Sequence, residues 1–158
     1  GLGAIGKAVA RRLKGFDCRI LAFDSMYDEV FLKETGVQKA DIAEILEKSD
    51  FLTLHLPALP EFSPLLDAAA FSRLKKDAVI VNTARAKLID RNALYDALHK
   101  GQLYGYGSDV HFMEPGFDEE LIACEHTVLT PHIAASSAGA IQRMSDIAVE
   151  NILEYFGL

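Results

Sequence analysis

The chain has 158 residues, which suits one domain of ordinary size. Half of them are hydrophobic, enough to bury a sizeable core, and a quarter are charged, which gives a water-facing surface. The net charge of −7, with no long basic run, argues against nucleic acid or an anionic membrane as partner, although a few local arginines can still hold a small anion. No apolar run approaches the ~18 residues that span a bilayer, and no signal peptide is apparent. The two cysteines, Cys18 and Cys124, form no CxxC pair and are too few for a disulfide framework, so a reduced, cytoplasmic protein is expected.

Short apolar β-type runs alternate with helix-type segments, which predicts an α/β fold with a mostly parallel sheet. Residues 4–13 read as a helix, and 19–23 as a buried strand ending at Asp24. Residues 41–48 form a predicted helix in which Asp41 and Glu44 have capping-box spacing. A strand over 51–54 runs into His55-Leu56-Pro57, and a helix follows over 68–74. Residues 78–81 (Ala-Val-Ile-Val) are short, apolar and β-branched, the clearest strand of the chain. Asp90 caps the next helix, which stops at Gly101. Strands are expected over 104–110 and 128–129. A long closing helix over 136–156 aligns Ile141, Met144, Ile147, Ala148 and Ile152 on one face.

The chain opens on Gly1-Leu2-Gly3-Ala4-Ile5-Gly6, a GxGxxG. In such a loop the first glycine allows a tight turn and the second lets the backbone approach a pyrophosphate. The third lets the helix pack closely, while the helix N-terminus offers N–H groups to the phosphate. Alone this spacing is weak, but a helix and a strand ending in an acid follow it. Asp24 lies eighteen residues beyond Gly6, near the ~20 expected of an acid that binds the adenosine ribose hydroxyls and repels a 2′-phosphate. Ser25, Met26 and Tyr27 supply no arginine for that phosphate, so NAD is the expected cofactor. Because the motif begins at residue 1 with no methionine or strand ahead of it, the expectation is a fragment of a longer protein. The fold is then a Rossmann-type doubly wound parallel sheet, incomplete at its N-terminus, with residues 1–158 forming the dinucleotide-binding domain.

Open parallel sheets bind ligands at the carboxyl ends of their strands. Four such ends carry polar residues: His55-Leu56-Pro57, Asn82-Thr83-Ala84-Arg85, Ser108-Asp109 and Thr130-Pro131-His132. An anionic substrate at such ends needs a cationic clamp, which Arg85 can supply as a bidentate fork. Hydride chemistry with NAD needs a group to give and take a proton, and His132 is the natural general acid. A carboxylate can orient and support that imidazole, a role for Glu114. Taken singly, each has a bland reading as a surface charge, a satisfied polar residue or a loop carboxylate. What sets them apart is their order and their place at strand ends.

Asn82-Thr83-Ala84-Arg85, the segment Asp109 to Pro115, and Thr130-Pro131-His132-Ile133-Ala134 together resemble the successive signatures of the D-isomer-specific 2-hydroxyacid dehydrogenases. The resemblance covers nearly the whole chain. It implies hydride transfer between NAD(H) and a small D-2-hydroxy or 2-keto acid, of the phosphoglycerate, hydroxypyruvate/glyoxylate or D-lactate type. It implies catalytic roles for Arg85, Glu114 and His132, with Arg85 and His132 also beside the cofactor. It further implies that Gly1, Gly3, Ala4, Ile5, Gly6 and Asp24 hold the dinucleotide, with Asp109 near the nicotinamide. Leu56-Pro57 and Thr83-Ala84 would line the cofactor, and the segment His132 to Ala135, including Ala134, would close over it. A homodimer and a separate substrate domain outside the present chain are also implied.

The sequence departs from the family pattern in places. Ala86-Lys87 stand where a glycine usually follows the arginine, and a methyl group there is expected to crowd the turn on the side of the substrate, so the departure bears on substrate fit. His111 stands where phenylalanine is common, and Leu59 where threonine usually precedes the second proline. His55 and His111 lie on cofactor-side loops without an assigned role, while His99 and His126 read as surface residues. A different class is an NAD(H)-sensing dimeric interaction module, similar to the C-terminal-binding protein corepressors. Formate dehydrogenase, of the same fold, characteristically has glutamine where Glu114 stands.

Overall fold

A computed structural model describes residues 1–60, 64–114, 116 and 118–158. Pro115, the last residue of the second signature segment, lies outside them. Six parallel strands and seven α-helices alternate along the described chain. The strands are β1 (Leu21–Ala22), β2 (Gln38–Lys39), β3 (Phe51–Leu54), β4 (Val79–Asn82), β5 (Gly105–Ser108) and β6 (Thr127–Leu129). The helices are α1 (Ala4–Leu13), α2 (Glu29–Thr35), α3 (Ile42–Lys48), α4 (Ala68–Arg73), α5 (Arg91–His99), α6 (Glu119–Ile122) and α7 (Ala138–Phe156).

The strands form two separate ladders. One has four strands in the order β3-β4-β5-β6, the other pairs β1 with β2. Each ladder has its own core. Ile80, Leu88, Leu94 and Ala97 are fully buried in the larger one, while Leu2, Ala10, Ala22, Phe31, Leu32 and Val37 make the smaller. Between β1 and β3 runs an apolar cleft of about 730 Å³, lined by Leu21 and Ala22 on one side and Leu52 and Leu54 on the other.

Capping explains where the helices begin. Asp28, Asp41, Asp67, Asp90 and Asp118 each accept a backbone N–H three residues on, and Ser137 does the same for α7. Asp41 fulfils its half of the capping box with Glu44 N–H at 2.7 Å, but the Glu44 carboxylate turns to Lys48 at 2.8 Å. Only α1 lacks a side-chain cap among the described residues; its N-cap is Gly3.

Two expectations change. The strand expected over 19–23 shortens to β1, because only β2 supplies ladder bonds to it, through Ile20 C=O and Ala22 C=O. The closing helix forms, but its apolar face does not close over the sheet. No residue of α7 is buried, and Ile141, Met144, Ile147 and Ile152 are half exposed.

Candidate active site

The glycine loop shows what each glycine is for. A Cβ on Gly1 would lie 2.6 Å from the carbonyl carbon of His55, and one on Gly6 2.2 Å from the carbonyl oxygen of Gly1. Both are therefore demanded by the protein's own packing. A Cβ on Gly3 would meet nothing within 4 Å, so the protein itself imposes no steric demand there. Gly3 opens α1, whose first N–H groups have no capping side chain, a combination that fits an approaching phosphate. Asp24 accepts Leu2 N–H at 2.6 Å and Met26 N–H at 3.2 Å. Its burial opposes ionisation, but these backbone N–H bonds outweigh that and lower its pKa. Asp24 therefore tethers the glycine loop and stands ready, ionised, as an acceptor for hydroxyl groups. The uncapped helix, the open side of Gly3 and the anionic strand end together fit a dinucleotide.

The second half of the site gathers at the carboxyl ends of β3, β4, β5 and β6. A cleft of about 730 Å³ is lined by Ile5, Leu56, Pro57, Thr83, Ala84 and Arg85, and also by Lys87, His111, Glu114 and His132. His55 lines it too, and burial lowers its pKa. Three separate loops thus bring Arg85, Glu114 and His132 to one cavity, although Arg85 and Glu114 are 29 residues apart in sequence and Glu114 and His132 18. Gly1, Gly3, Ala4, Gly6, Asp24, Asp109, Ala134 and Ala135 are not among its lining residues.

Arg85 and His132 are each set by a buried polar residue beneath them. Asn82, fully buried at the end of β4, accepts Ala84 N–H at 3.0 Å and donates to Arg85 C=O at 3.0 Å, fixing the turn that presents Arg85. Ala86 lies in a short 3₁₀ turn, Ala86–Leu88, without a positive φ, so its methyl group imposes no backbone strain.

Asp109, buried at the end of β5, accepts the Thr130 hydroxyl at 2.6 Å, Ile133 N–H at 2.8 Å and Ala134 N–H at 2.7 Å. Burial opposes its ionisation, and these three donors more than offset that, so its pKa is lowered. Its carboxylate thus holds the His132 loop from beneath. Geometry assigns it this anchoring task, which neither composition nor spacing revealed; the signal was a lone acid at a strand end. His132 itself has φ +54° and places Nδ1 at 3.1 and 3.2 Å from the two Glu114 carboxylate oxygens. The His111 backbone N–H and the His132 ring hold the Glu114 carboxyl below its usual range. An ionised Glu114 accepts from Nδ1–H, which leaves Nε2 as the ring atom that can exchange a proton with a substrate.

Among the described residues no three His, Cys, Asp or Glu side chains gather as a metal site. No helix there is long and apolar enough to cross a membrane.

Residues 1–134 match the family model "D-isomer specific 2-hydroxyacid dehydrogenase, NAD binding domain". A glyoxylate reductase of Korarchaeum cryptofilum is 42% identical over 156 residues, covering 98% of this chain and 47% of that protein. The apo crystal structure of D-mandelate dehydrogenase from Rhodotorula graminis superposes with a TM-score of 0.91 at 33% identity, covering 97% of this chain and 45% of that one. The NAD complex of a D-isomer specific 2-hydroxyacid dehydrogenase from Lactobacillus delbrueckii ssp. bulgaricus does so at 0.90 and 27% identity, covering 99% and 52%. The chain thus spans about half the length of the proteins it matches. With a Rossmann-type sheet, a glycine cradle and a family match over residues 1–134, this chain belongs to the NAD-binding domain family of the D-isomer specific 2-hydroxyacid dehydrogenases.

Proposed function

We propose that this chain is the dinucleotide-binding domain of a longer enzyme that interconverts a small 2-keto acid and its D-2-hydroxy acid, of the glyoxylate/hydroxypyruvate, phosphoglycerate or D-lactate type. The observation that carries the reading is the His132–Glu114 pair, 3.1 Å apart in a cleft that also holds Arg85. NAD, when bound, supplies or accepts the hydride. Arg85 clamps the substrate carboxylate, and Lys87 adds a second cation to the same cleft. His132 gives a proton from Nε2 to the carbonyl oxygen during reduction and takes one from the hydroxyl during oxidation. Glu114 accepts from Nδ1–H and so fixes the orientation of the ring. Gly1, Gly3 and Gly6, the start of α1, and Asp24 would hold the pyrophosphate and ribose. Leu56-Pro57, Thr83-Ala84 and Ala134-Ala135 would flank the rest. The relatives named above are a reductase and dehydrogenases, which favours an enzyme over a sensing module.

The test is a panel of 2-keto acids with NADH and the full-length protein, followed by pH profiles of kcat/KM. Reduction needs protonated His132, so it declines on the alkaline side. Glu114→Gln keeps the shape but replaces the carboxylate acceptor of Nδ1–H with an amide, and lowers kcat by less than His132→Ala does. His132→Ala lowers kcat by about 10²–10⁴-fold with little change in NADH affinity. Near-normal kcat in His132→Ala, or an unchanged kcat in Glu114→Gln, rejects the assignment.

A further inference from the structure

The His132 loop is held in a backbone conformation that a residue with a Cβ rarely adopts, φ +54°. Such a conformation persists only where the surroundings over-determine it. Asp109 supplies the support from beneath. On the other side, the Thr130 carbonyl closes a tight turn around Pro131 by accepting His132 N–H at 2.9 Å. The same oxygen lies 2.7 Å from Nε2 of His111. A carbonyl only accepts, so the His111 Nε2 carries a proton and donates it. The backbone N–H of His111 donates to Glu114 Oε1 at 2.9 Å. The contacts close a ring: His111 N–H to Glu114, Glu114 to the His132 ring, His132 N–H to the Thr130 carbonyl, and back to the His111 ring.

We infer that His111 is a positioning residue, whose ring ties the Thr130 carbonyl to the Glu114 loop and so sets the contact between His132 and Glu114. Any residue but proline can provide the backbone half of this tie. The ring half needs a donor where Nε2 stands. The titratable groups around it are Glu114 on its own loop, Asp109 at the end of β5 and His132 on the loop after β6. Arg85, Lys87 and His55 face the same cleft from the loops after β4 and β3. The inference rests on the reading of His132 and Glu114 as the acid–base pair, but its first readout does not require turnover.

Two variants of the full-length protein separate the tie from charge. His111→Phe keeps a flat ring and the backbone N–H but has no side-chain donor. His111→Gln is equally uncharged and keeps an N–H within similar reach. The Glu114 carboxyl titration, followed by carbon NMR, should move towards the ordinary carboxylate range in His111→Phe relative to His111→Gln, because the His132 contact loosens. Keto-acid reduction should lose about 3- to 10-fold in kcat in His111→Phe, the scale of one hydrogen bond, with most of it restored in His111→Gln and KM for NADH unchanged. Coincident Glu114 titrations in the two variants overturn the inference, whatever the activity. Distinct titrations in a parent that reduces no 2-keto acid would sustain it and instead overturn the proposed reaction.

Discussion

Asp24 has two jobs that pull on the same carboxylate. One oxygen accepts Leu2 N–H at 2.6 Å and so fixes the glycine loop, while the other accepts Met26 N–H at 3.2 Å. Each oxygen retains lone-pair capacity for a ribose hydroxyl. A 2′-phosphate would meet an ionised group held below its usual pKa, with no cation at Ser25, Met26 or Tyr27 to offset the repulsion. NAD is therefore expected to be preferred to NADP, and comparable kcat/KM for the two in the full-length protein would contradict this. Asp24→Ala should raise KM for NADH by about 10- to 100-fold, the range for losing hydrogen bonds to a charged group. Adding arginine at position 25 should then shift preference towards NADPH. Arg85, Glu114, His132 and Asp24 were all legible in the sequence, because each ends or follows a strand and its chemistry is specific to its type. Asn82 was visible only as a strand-end residue, and Asp109 as one that the resemblance places near the nicotinamide. Their tasks depend on which backbone groups the fold brings near, and spacing does not encode that.

At the level of elements, long apolar segments were readable and short polar ones were not. β3, β4, α1 and α5 lie within a residue or two of their expected bounds, since burial on one or both faces writes a period into the sequence. α2, β2 and α6 went unread. α2 carries its signals in Asp28 and in Gly36 at φ +75°, but β2 is the exposed pair Gln38-Lys39, without any apolar alternation. α6 is only four residues long and is held by charge rather than by a stripe. Its cap, Asp118, is buried and takes two hydrogen bonds from the Arg91 guanidinium at 2.6 and 2.8 Å, which tie α6 to the start of α5. A third contact joins Arg91 to Glu120. Arg91→Met would leave the buried Asp118 carboxylate with backbone donors alone, Leu121 N–H at 3.3 Å and the Glu120 N–H. The expected cost is about 2–4 kcal/mol, at or below the range for a broken buried pair because Arg91 is partly exposed. Asp118 has a lowered pKa, chiefly through Arg91. Its stabilising contribution is therefore complete above roughly pH 4, the unfolded value, and is lost as pH falls through the lower folded value. The Tm gap between the parent and Arg91→Met should be widest near neutral pH and narrow in acid. A gap that stays constant from neutral pH down to about pH 3 would refute the pairing as its source.

The whole molecule holds two small cores joined across an apolar cleft. Among the described residues β1 meets a ladder partner only on the β2 side, and β3 only on the β4 side, so two strand edges face each other over about 730 Å³ lined by Leu2, Ala22, Leu52 and Leu54. A parallel strand inserted between them would join the ladders into one six-strand-plus-one sheet and lead directly into the glycine loop at Gly1. That arrangement accords with the proposal that residues 1–158 are one domain of a protein about twice as long. In the 158-residue chain by itself, unpaired buried backbone groups cost about 1–3 kcal/mol each, against a total stability of only about 5–15 kcal/mol. The smaller core, six buried residues around β1 and β2, is too slight to absorb such a cost. The half-exposed Ile141, Met144, Ile147 and Ile152 of α7 add apolar surface without burial. The isolated chain is therefore expected to open locally around β1 and β2, with fast amide exchange there and slower exchange in β4 and β5, and to bind NADH weakly. In the full-length protein the same β1 and β2 amides should become protected together with the rest of the sheet. Equal protection of both ladders in the isolated chain, with one cooperative melt and tight NADH binding, would show that the cleft needs no further strand.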